Sequence, residues 1–497
     1  MGVIRKQGSW SLILTYTGFA IGAINIFVLY PHLLSQEEFG LSRLIMTLAG
    51  TLSHFAILSF TSSIYKFAPF YKAHLKPKEN DLLTISLVLP TLGFIVVTLL
   101  TFLFQDTFVA FYSTKSKLLV EYIFWIYPYT LFISYFVILK THVHTYHNNI
   151  LPTLIEEIAF KIYIIILLVL FYFQQIDFHF IIAAISFFYL LACIPLLLFL
   201  HSKKALHFTS SFSRVTQKLK KFIIGYSGYI YLGIIIIALS DAIAPLLISG
   251  YNGLGDAAIY VVALYFAQIL DVPKRSIYGV SIAIMADAWR NNDLKKIELL
   301  YQRTALNLLI ACGFIFGLMW VNIDSIIALL PSSYSKIKYI ILILGVGKLI
   351  DTATGMNEEI LNTSNAWRFN FTTQVILILI NIPLSILFIK NYGLLGIAFA
   401  TLIGTLVYNS VRYGYILYWF KLQPFSKAIA GVFVIIASLL LALQFVTISN
   451  VYLSILFKSI LYSLAFVFLL FKWSLSSEVN DFYYQIKNRL KAFVNSK

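Results

Sequence analysis

Gln268, Asp271, Lys274, Arg275 and Tyr278 lie three and four residues apart, a spacing that puts them on one face of a helix. They interrupt an otherwise apolar run, residues 255–284. Two cations and one carboxylate on one face allow two outcomes. Asp271 can pair with Lys274 or Arg275, which only makes burial tolerable. Alternatively the face lines a polar cavity, and its positive surplus suits a phosphorylated group, because charge-assisted hydrogen bonds to phosphate are strong. Pro273 removes a backbone donor among them and predicts a kink or opening of the helix. A charge at mid-membrane costs about 2.5–3.5 kcal/mol on insertion scales, so such residues are candidates for function.

Other polar stripes follow the same logic. Arg43, Thr47, Thr51, His54 and Thr61 share a face in one apolar run; Arg43 either lines the mouth of a cleft or reaches back to headgroups. Ser11, Thr15, Gly18, Gly22 and Asn25 form a stripe that suits either a cavity wall or close helix packing through small residues. Asp241, four residues before Pro245, is either a structural carboxylate or one that binds a proton or Na⁺. Lys348, Asp351 and Glu358 share a face, Glu157 and Lys161 have a pairing spacing, and Arg412 has no local partner. These last groups either line the walls or tie helices together. His142, His144 and His147 lack a carboxylate or thiolate to complete a metal site, so no metal is assigned. Cys193 and Cys312 lie in apolar runs and read as buried small hydrophobes.

The elements that position these residues are membrane helices. Of 497 residues, 60% are hydrophobic and 12% charged, against roughly 45–50% apolar in a soluble domain. The mean hydropathy is +0.85. A span needs about 20 apolar residues, which predicts about fourteen: 9–31, 41–63, 82–104, 118–140, 153–173, 178–200, 222–246, 255–284, 303–323, 337–359, 369–389, 393–418, 427–447 and 451–472. The net charge of +16 does not point to nucleic acid, because the cations sit in short loops. Lys66, Lys72, Lys76 and Lys78, the run from Lys203 to Lys221, Arg290 to Arg303, and Lys487 to Lys497 fall on one side. Lys115, Lys117, Lys336, Lys338 and Lys390 fall on the other. That asymmetry predicts both termini in the cytoplasm. Arg5 and Lys6 precede an apolar run too long for a signal peptide, so the first segment is expected to remain as a helix.

The chain also shows an internal repeat. "FGLSRLI" from Phe39 resembles "LGDAAIY" from Leu254, and "DTFVAFYSTKSK" from Asp106 resembles "DSIIALLPSSYSKIK" from Asp324. "QQID" at Gln174 falls opposite "KNYG" at Lys390, and all three pairs have a similar offset. The expected organisation is a lobe at 1–200, a basic cytoplasmic connector at 201–221 that suits an interfacial amphipathic helix, and a second lobe at 222–422. Two more helices occupy 423–474, and a cytoplasmic tail 475–497. An even number of spans per copy relates the lobes by an axis along the membrane normal. The fold class is therefore all-α and polytopic, with two six-helix lobes plus two C-terminal helices and a cleft at the repeat interface.

"LSQEEFGLSRLI" after the first span resembles the corresponding loop of bacterial polysaccharide flippases. "NYGLLGIAFATLIGTLVYN" (Asn391–Asn409) and the preceding "EEILNTSNAWRFNFTTQVILILINIPLSILFI" resemble that family's late helices. This is the polysaccharide and oligosaccharidyl-lipid branch of the superfamily that also holds multidrug and peptidoglycan-lipid flippases. The resemblance implies transport of an undecaprenyl-pyrophosphate-linked oligosaccharide, such as an O-antigen repeat unit, from the cytoplasmic to the periplasmic leaflet of a bacterial inner membrane. It implies a cavity lined mainly by helices 1, 2, 7 and 8, and cation coupling. Arg43, Lys274, Arg275, Gln268, Asn25 and His54 are then the expected substrate contacts. Asp241, Asp271, Asp351 and Glu358 are candidates for the coupling ion, H⁺ or Na⁺, with no other cofactor. Partners would be the lipid-linked oligosaccharide and membrane lipids, with a polysaccharide polymerase and glycosyltransferases as candidates. The alternatives are a cation-coupled multidrug or metabolite exporter, or a membrane polymerase or ligase. The last lacks a long loop, a nucleophile–base pair or a metal motif to hold chemistry, so the chain is not expected to be an enzyme.

Overall fold

The computed structural model describes residues 2–476, and every regular element among them is helical. Eight helices are long and apolar enough to cross a bilayer, or ten if each of two bent pairs counts as one span. The expected fourteen includes helices that fall short of that test, Leu254–Ile269 and Lys427–Leu443. It also includes two spans merged in the 54-residue helix Trp367–Phe420, whose helical geometry breaks at Gly393. The lysines and arginine of the 475–497 tail lie outside the described residues.

By contact, the chain forms two compact units, one running through Val262 and including Ser385–Ile397, the other containing Ala263–Leu384 and the chain from Ala398. The lobes expected at 1–200 and 222–422 follow the sequence repeat, whereas these units follow packing.

In the first unit, α1 (Gly2–Ile24) runs into a π-helical turn at Asn25–Leu29. Helix α2 (Gln36–Ile57) starts in a capping box: Glu38 N donates to Ser35 Oγ at 3.3 Å and Ser35 N to Glu38 Oε2 at 2.9 Å. Glu37 and Glu38 thus sit in a first turn, where the helix dipole favours negative charge. Leu58 and Ser59, both left-handed, break the span, and α3 (Phe60–His74) leaves at 45°. Then come α4 (Leu82–Leu103), α5 (Gln105–Tyr112) and α6 (Ile126–His144). A second π-helical turn, Leu154–Ala159, leads into α7 (Phe160–Tyr172). Asp177 caps α8 (Phe178–Ser202) by accepting from Phe180 N. Helices α9 (Arg214–Tyr251) and α10 (Leu254–Ile269) follow. Ile57, Phe60, Ile64, Phe67, Tyr71 and Ile138 form one core of this unit.

Past the end of α8 at Ser202, the 201–221 connector is helical only from Arg214 on, as the start of α9. Residues 205–213 form no helix. This non-helical part is docked instead: buried Asp81 Oδ2 accepts from Ser213 N at 2.8 Å and Thr216 Oγ1 at 2.7 Å at the start of α9, and Thr209 N donates to Thr84 Oγ1. Backbone groups that a helix would satisfy internally are spent on docking, and α9 begins only at Arg214.

The second unit takes the end of α10, then α11 (Val272–Arg290), α12 (Leu294–Val321), α13 (Ile337–Ala353), α14 (Asn357–Thr363) and most of α15 (Trp367–Phe420). Helices α16 (Lys427–Leu443) and α17 (Val451–Lys472) close it. Val432, Ile435, Ile436 and Leu439 of α16 recur at three- and four-residue spacing and share a core with Phe316 of α12 and Tyr462 and Phe466 of α17. Tyr462 ties that core by donating to Gly313 O at 3.1 Å. The opposite face of α17, with Leu453, Phe457, Leu464 and Phe468, is exposed. An apolar outer face over a buried core is what a hydrocarbon solvent selects.

Candidate functional site

The polar residues of the second unit converge. Three contacts join α11 and the residue before it to α13 and the turn after it at a constant offset of 77 residues, so the two segments run in the same sense. Lys348 Nζ donates to Asp271 Oδ2 at 2.5 Å, and Lys274 Nζ to Asp351 Oδ2 at 2.8 Å. Tyr278 OH donates to Gly355 O at 2.9 Å. The charges are swapped from one rung to the next, an acid then a base on one helix against a base then an acid on the other. One sequence reading paired Asp271 on its own helix; the structure gives its carboxylate a hydrogen-bonded ion pair with Lys348. Its partner comes from another span.

Local structure explains the placement. Pro273 falls in the first turn of α11, where its missing N–H costs nothing, and the chain breaks between α10 and α11 rather than kinking within a helix. Asp271 flanks that break and caps nothing with its side chain, which leaves the carboxylate for Lys348. On the other side, Gly355 (φ +65°) ends α13 and α14 leaves at 46°. That left-handed turn exposes the carbonyl that Tyr278 uses, and glycine adopts it without the Cβ penalty.

The ladder continues into α15. Asp351 Oδ1 accepts from Asn409 Nδ2 at 3.0 Å, and Asn409 Oδ1 accepts from Thr354 Oγ1 at 3.1 Å and Asn357 Nδ2 at 3.0 Å. One turn on, Arg412 is 1% exposed. Its Nη1 donates to Glu358 Oε2 at 3.2 Å, its Nε to Thr373 Oγ1 at 3.2 Å, and its Nη2 to Asn370 Oδ1. The guanidinium lies 3.7 Å from the centre of the Tyr408 ring, in cation–π range. Arg412, which has no local partner in sequence, is the best-partnered cation here. Nearby, Glu359 Oε2 is buried and finds no donor among the described residues.

Charge bookkeeping changes accordingly. Asp271, Asp351, Glu358 and Glu359 face Lys274, Lys348 and Arg412, so the cluster is not the cationic surface that span eight alone suggests. Arg275 is exposed and Gln268 half-buried. The two ladder lysines keep 24% and 32% of their side-chain surface open. Each is neutralised by a carboxylate and not fully enclosed.

The first unit gathers fewer of the expected residues. Asn25 is buried at the first π-helical turn and donates to Lys161 O at 3.0 Å, while its Oδ1 has no donor among the described residues. Lys161 pairs with Glu157 at 2.6 Å, the predicted i, i+4 bridge, and Lys140 pairs with Glu156 at 2.6 Å. Gly18 lies against Glu157 so closely that a Cβ would sit 2.6 Å from its carbonyl oxygen. The small-residue stripe of α1 therefore serves close packing at this point. Thr47 and Thr51 donate to the carbonyls one turn back, Arg43 O and Thr47 O, so part of the α2 stripe is satisfied within its own helix. Arg43 is half-buried with Nη1 at 3.8 Å from Met46 Sδ, and His54 is exposed. Asp241 is exposed on α9 and has interactions of its own. The histidines diverge: His142 bonds Ser86, His144 bonds Tyr65, and His147 is exposed.

Sequence reading missed Asn409, Asn357, Asn370 and Asp81. Asn409 and Arg412 share a helix face at i, i+3, a signal that was available. Asp81 carried none, because a lone acid at a helix start reads as a cap.

An all-helical polytopic membrane protein with this ladder has known counterparts in fold. The chain is similar to the lipid II flippase MurJ in an inward closed conformation, with a TM-score of 0.72 at 17% identity, covering 93% of this chain and 99% of that one. It is also similar to an inward-facing multidrug resistance MATE family transporter of the MOP superfamily (TM-score 0.56, 13% identity, 85% and 95% covered). The Vibrio cholerae MATE transporter VcmN in its bent form scores 0.54 at 11% identity, with 85% and 98% covered. No curated protein matches the sequence. The chain belongs to the polysaccharide biosynthesis protein family, which matches residues 4–289.

Proposed function

We propose that this protein carries an undecaprenyl-pyrophosphate-linked oligosaccharide, an O-antigen or other surface-polysaccharide repeat unit, from the cytoplasmic to the periplasmic leaflet of a bacterial inner membrane. Family membership supports the polysaccharide context, and the flippase-like fold supports movement of a lipid-linked head. The observation that carries the reading is the swapped ladder. Lys274 and Lys348 are each held by a carboxylate and partly open, so a pyrophosphate can replace Asp351 and Asp271 as their partner. Such an exchange trades one charge-assisted contact for another, so binding and release both stay within a few kcal/mol. Both termini would be cytoplasmic and transport would proceed by alternating access. The coupling cation, H⁺ or Na⁺, would be taken up by the carboxylates that the pyrophosphate displaces.

The test is a proteoliposome assay with a fluorescent polyprenyl-pyrophosphoryl oligosaccharide and a membrane-impermeant quencher. Wild-type protein should speed protection or exposure of the label, and Lys274→Ala or Lys348→Ala should slow it at least tenfold. Unchanged transport in both variants would overturn the assignment of the ladder. Absence of any acceleration by wild-type protein would overturn the flippase reading itself.

A second reading, a cation-coupled exporter of small organic cations, is favoured by the carboxylate excess around Glu359. Uptake of a fluorescent organic cation by the same vesicles, abolished by Glu359→Gln, would support it in place of the first.

A further inference from the structure

We infer that the first unit holds a binding groove for one acyl chain of a zwitterionic membrane phospholipid. The groove is a cavity of about 560 Å³, walled by Leu52 of α2, Phe104 after α4, Phe108 and Tyr112 of α5, Ile126 of α6 and Leu246 of α9. That volume is in the range of small-ligand pockets, roughly 300–1,000 Å³.

The wall is mostly aliphatic and aromatic, and three of its polar side chains are already engaged. Tyr112 OH donates to Leu246 O at 3.1 Å, and Thr101 Oγ1 bonds Val97 O, Thr98 O and the Tyr127 hydroxyl. A guest with hydrogen-bonding groups would gain little inside, and a hydrocarbon chain loses nothing.

Two observations choose the occupant. The groove is continuous with an exposed apolar face, since Leu99, Phe102, Leu103 and Phe104 at the end of α4 all stand outward. In a membrane that face meets lipid, so the molecule next to the opening is a bilayer lipid. The rim then decides its headgroup. Gln105 and Thr107 line it, exposed Asp106 stands between them, and no charged side chain lines the groove. Lys115 and Lys117 follow α5 and do not line it. An uncharged rim beside a carboxylate repels a pyrophosphate and accepts an ammonium headgroup. The occupant is thus the chain of an aminophospholipid such as phosphatidylethanolamine, and not the tail of a pyrophosphoryl carrier.

Nanodiscs of phosphatidylethanolamine and phosphatidylglycerol, doped with phosphatidylethanolamine carrying a diazirine in its acyl chain, test this by photolabelling and peptide mapping. Label at residues 100–112 should exceed, several-fold per residue, that on the outward face of α17 at residues 453–468. Leu52→Trp, which fills the groove, should lower it at least threefold and leave the α17 label unchanged. Leu246→Phe is the smaller change should the tryptophan variant fail to keep the wild-type melting temperature. Equal label on both segments, or label insensitive to filling, would overturn the inference. So would displacement of the label by equimolar polyprenyl phosphate, which would assign the groove to an isoprenoid.

Discussion

Arg412 organises one end of the polar chemistry in the second unit, and its geometry explains why it must be arginine. A planar guanidinium reaches Glu358, Thr373 and Asn370 at once and stacks on Tyr408; an ammonium cannot span that fork. Arg412→Ala should destabilise the detergent-solubilised protein by about 3 kcal/mol, since it strands buried acceptors at roughly 1–3 kcal/mol each. A melting curve reads this as a lower Tm, and Arg412→Lys should recover only part of the loss. At the ladder, the informative experiment is a swap. Lys274→Asp should abolish transport in the vesicle assay, by repulsion from Asp351. Adding Asp351→Lys should restore folding, measured as Tm, to near wild type. If the pair is merely structural the swap restores transport too; if Lys274 meets the pyrophosphate, transport stays at least tenfold down.

At the scale of elements, breaks matter as much as helices. Gly355 ends α13 in a left-handed turn, and a Cβ there would lie 2.9 Å from Ala305 Cβ. Gly355→Ala should cost about 1–2 kcal/mol for the backbone alone and weaken the Tyr278 contact. Hydrogen exchange at residues 354–360 should rise in this variant. The helix start at Ser35 is a simpler case: Ser35→Ala should cost about 1 kcal/mol, the usual worth of a cap, with transport unchanged. These elements differ in how far sequence revealed them. The box Ser35–Glu38 obeys a local rule, and so does the apolar periodicity of α4, α8 and α17. The bend at Leu58 and Ser59 obeys none, because neither residue favours a left-handed conformation. The connector misled for a related reason: its lysines and phenylalanines have an amphipathic look, but Asp81, far away in sequence, claims its backbone.

At the scale of the whole molecule, the loop charges predict an orientation that can be measured. Single cysteines at Lys76 and at Thr114 should react with an impermeant maleimide from opposite sides of the membrane, Lys76 from the cytoplasm and Thr114 from outside. Reaction of both from one side would contradict the span assignment between them. The sequence by itself determined that this is a helical membrane protein, the rough positions of its helices, its family and the residue types its sites can draw on. Those follow from composition, periodicity and local capping, which act over a turn or two of chain. Only the tertiary structure decided that Asp271 answers to Lys348, Lys274 to Asp351, and Arg412 to acceptors on α14 and on the distant first part of α15. In low dielectric a charge takes the best partner in space, and residues 77 positions apart meet only when the fold brings their helices into register.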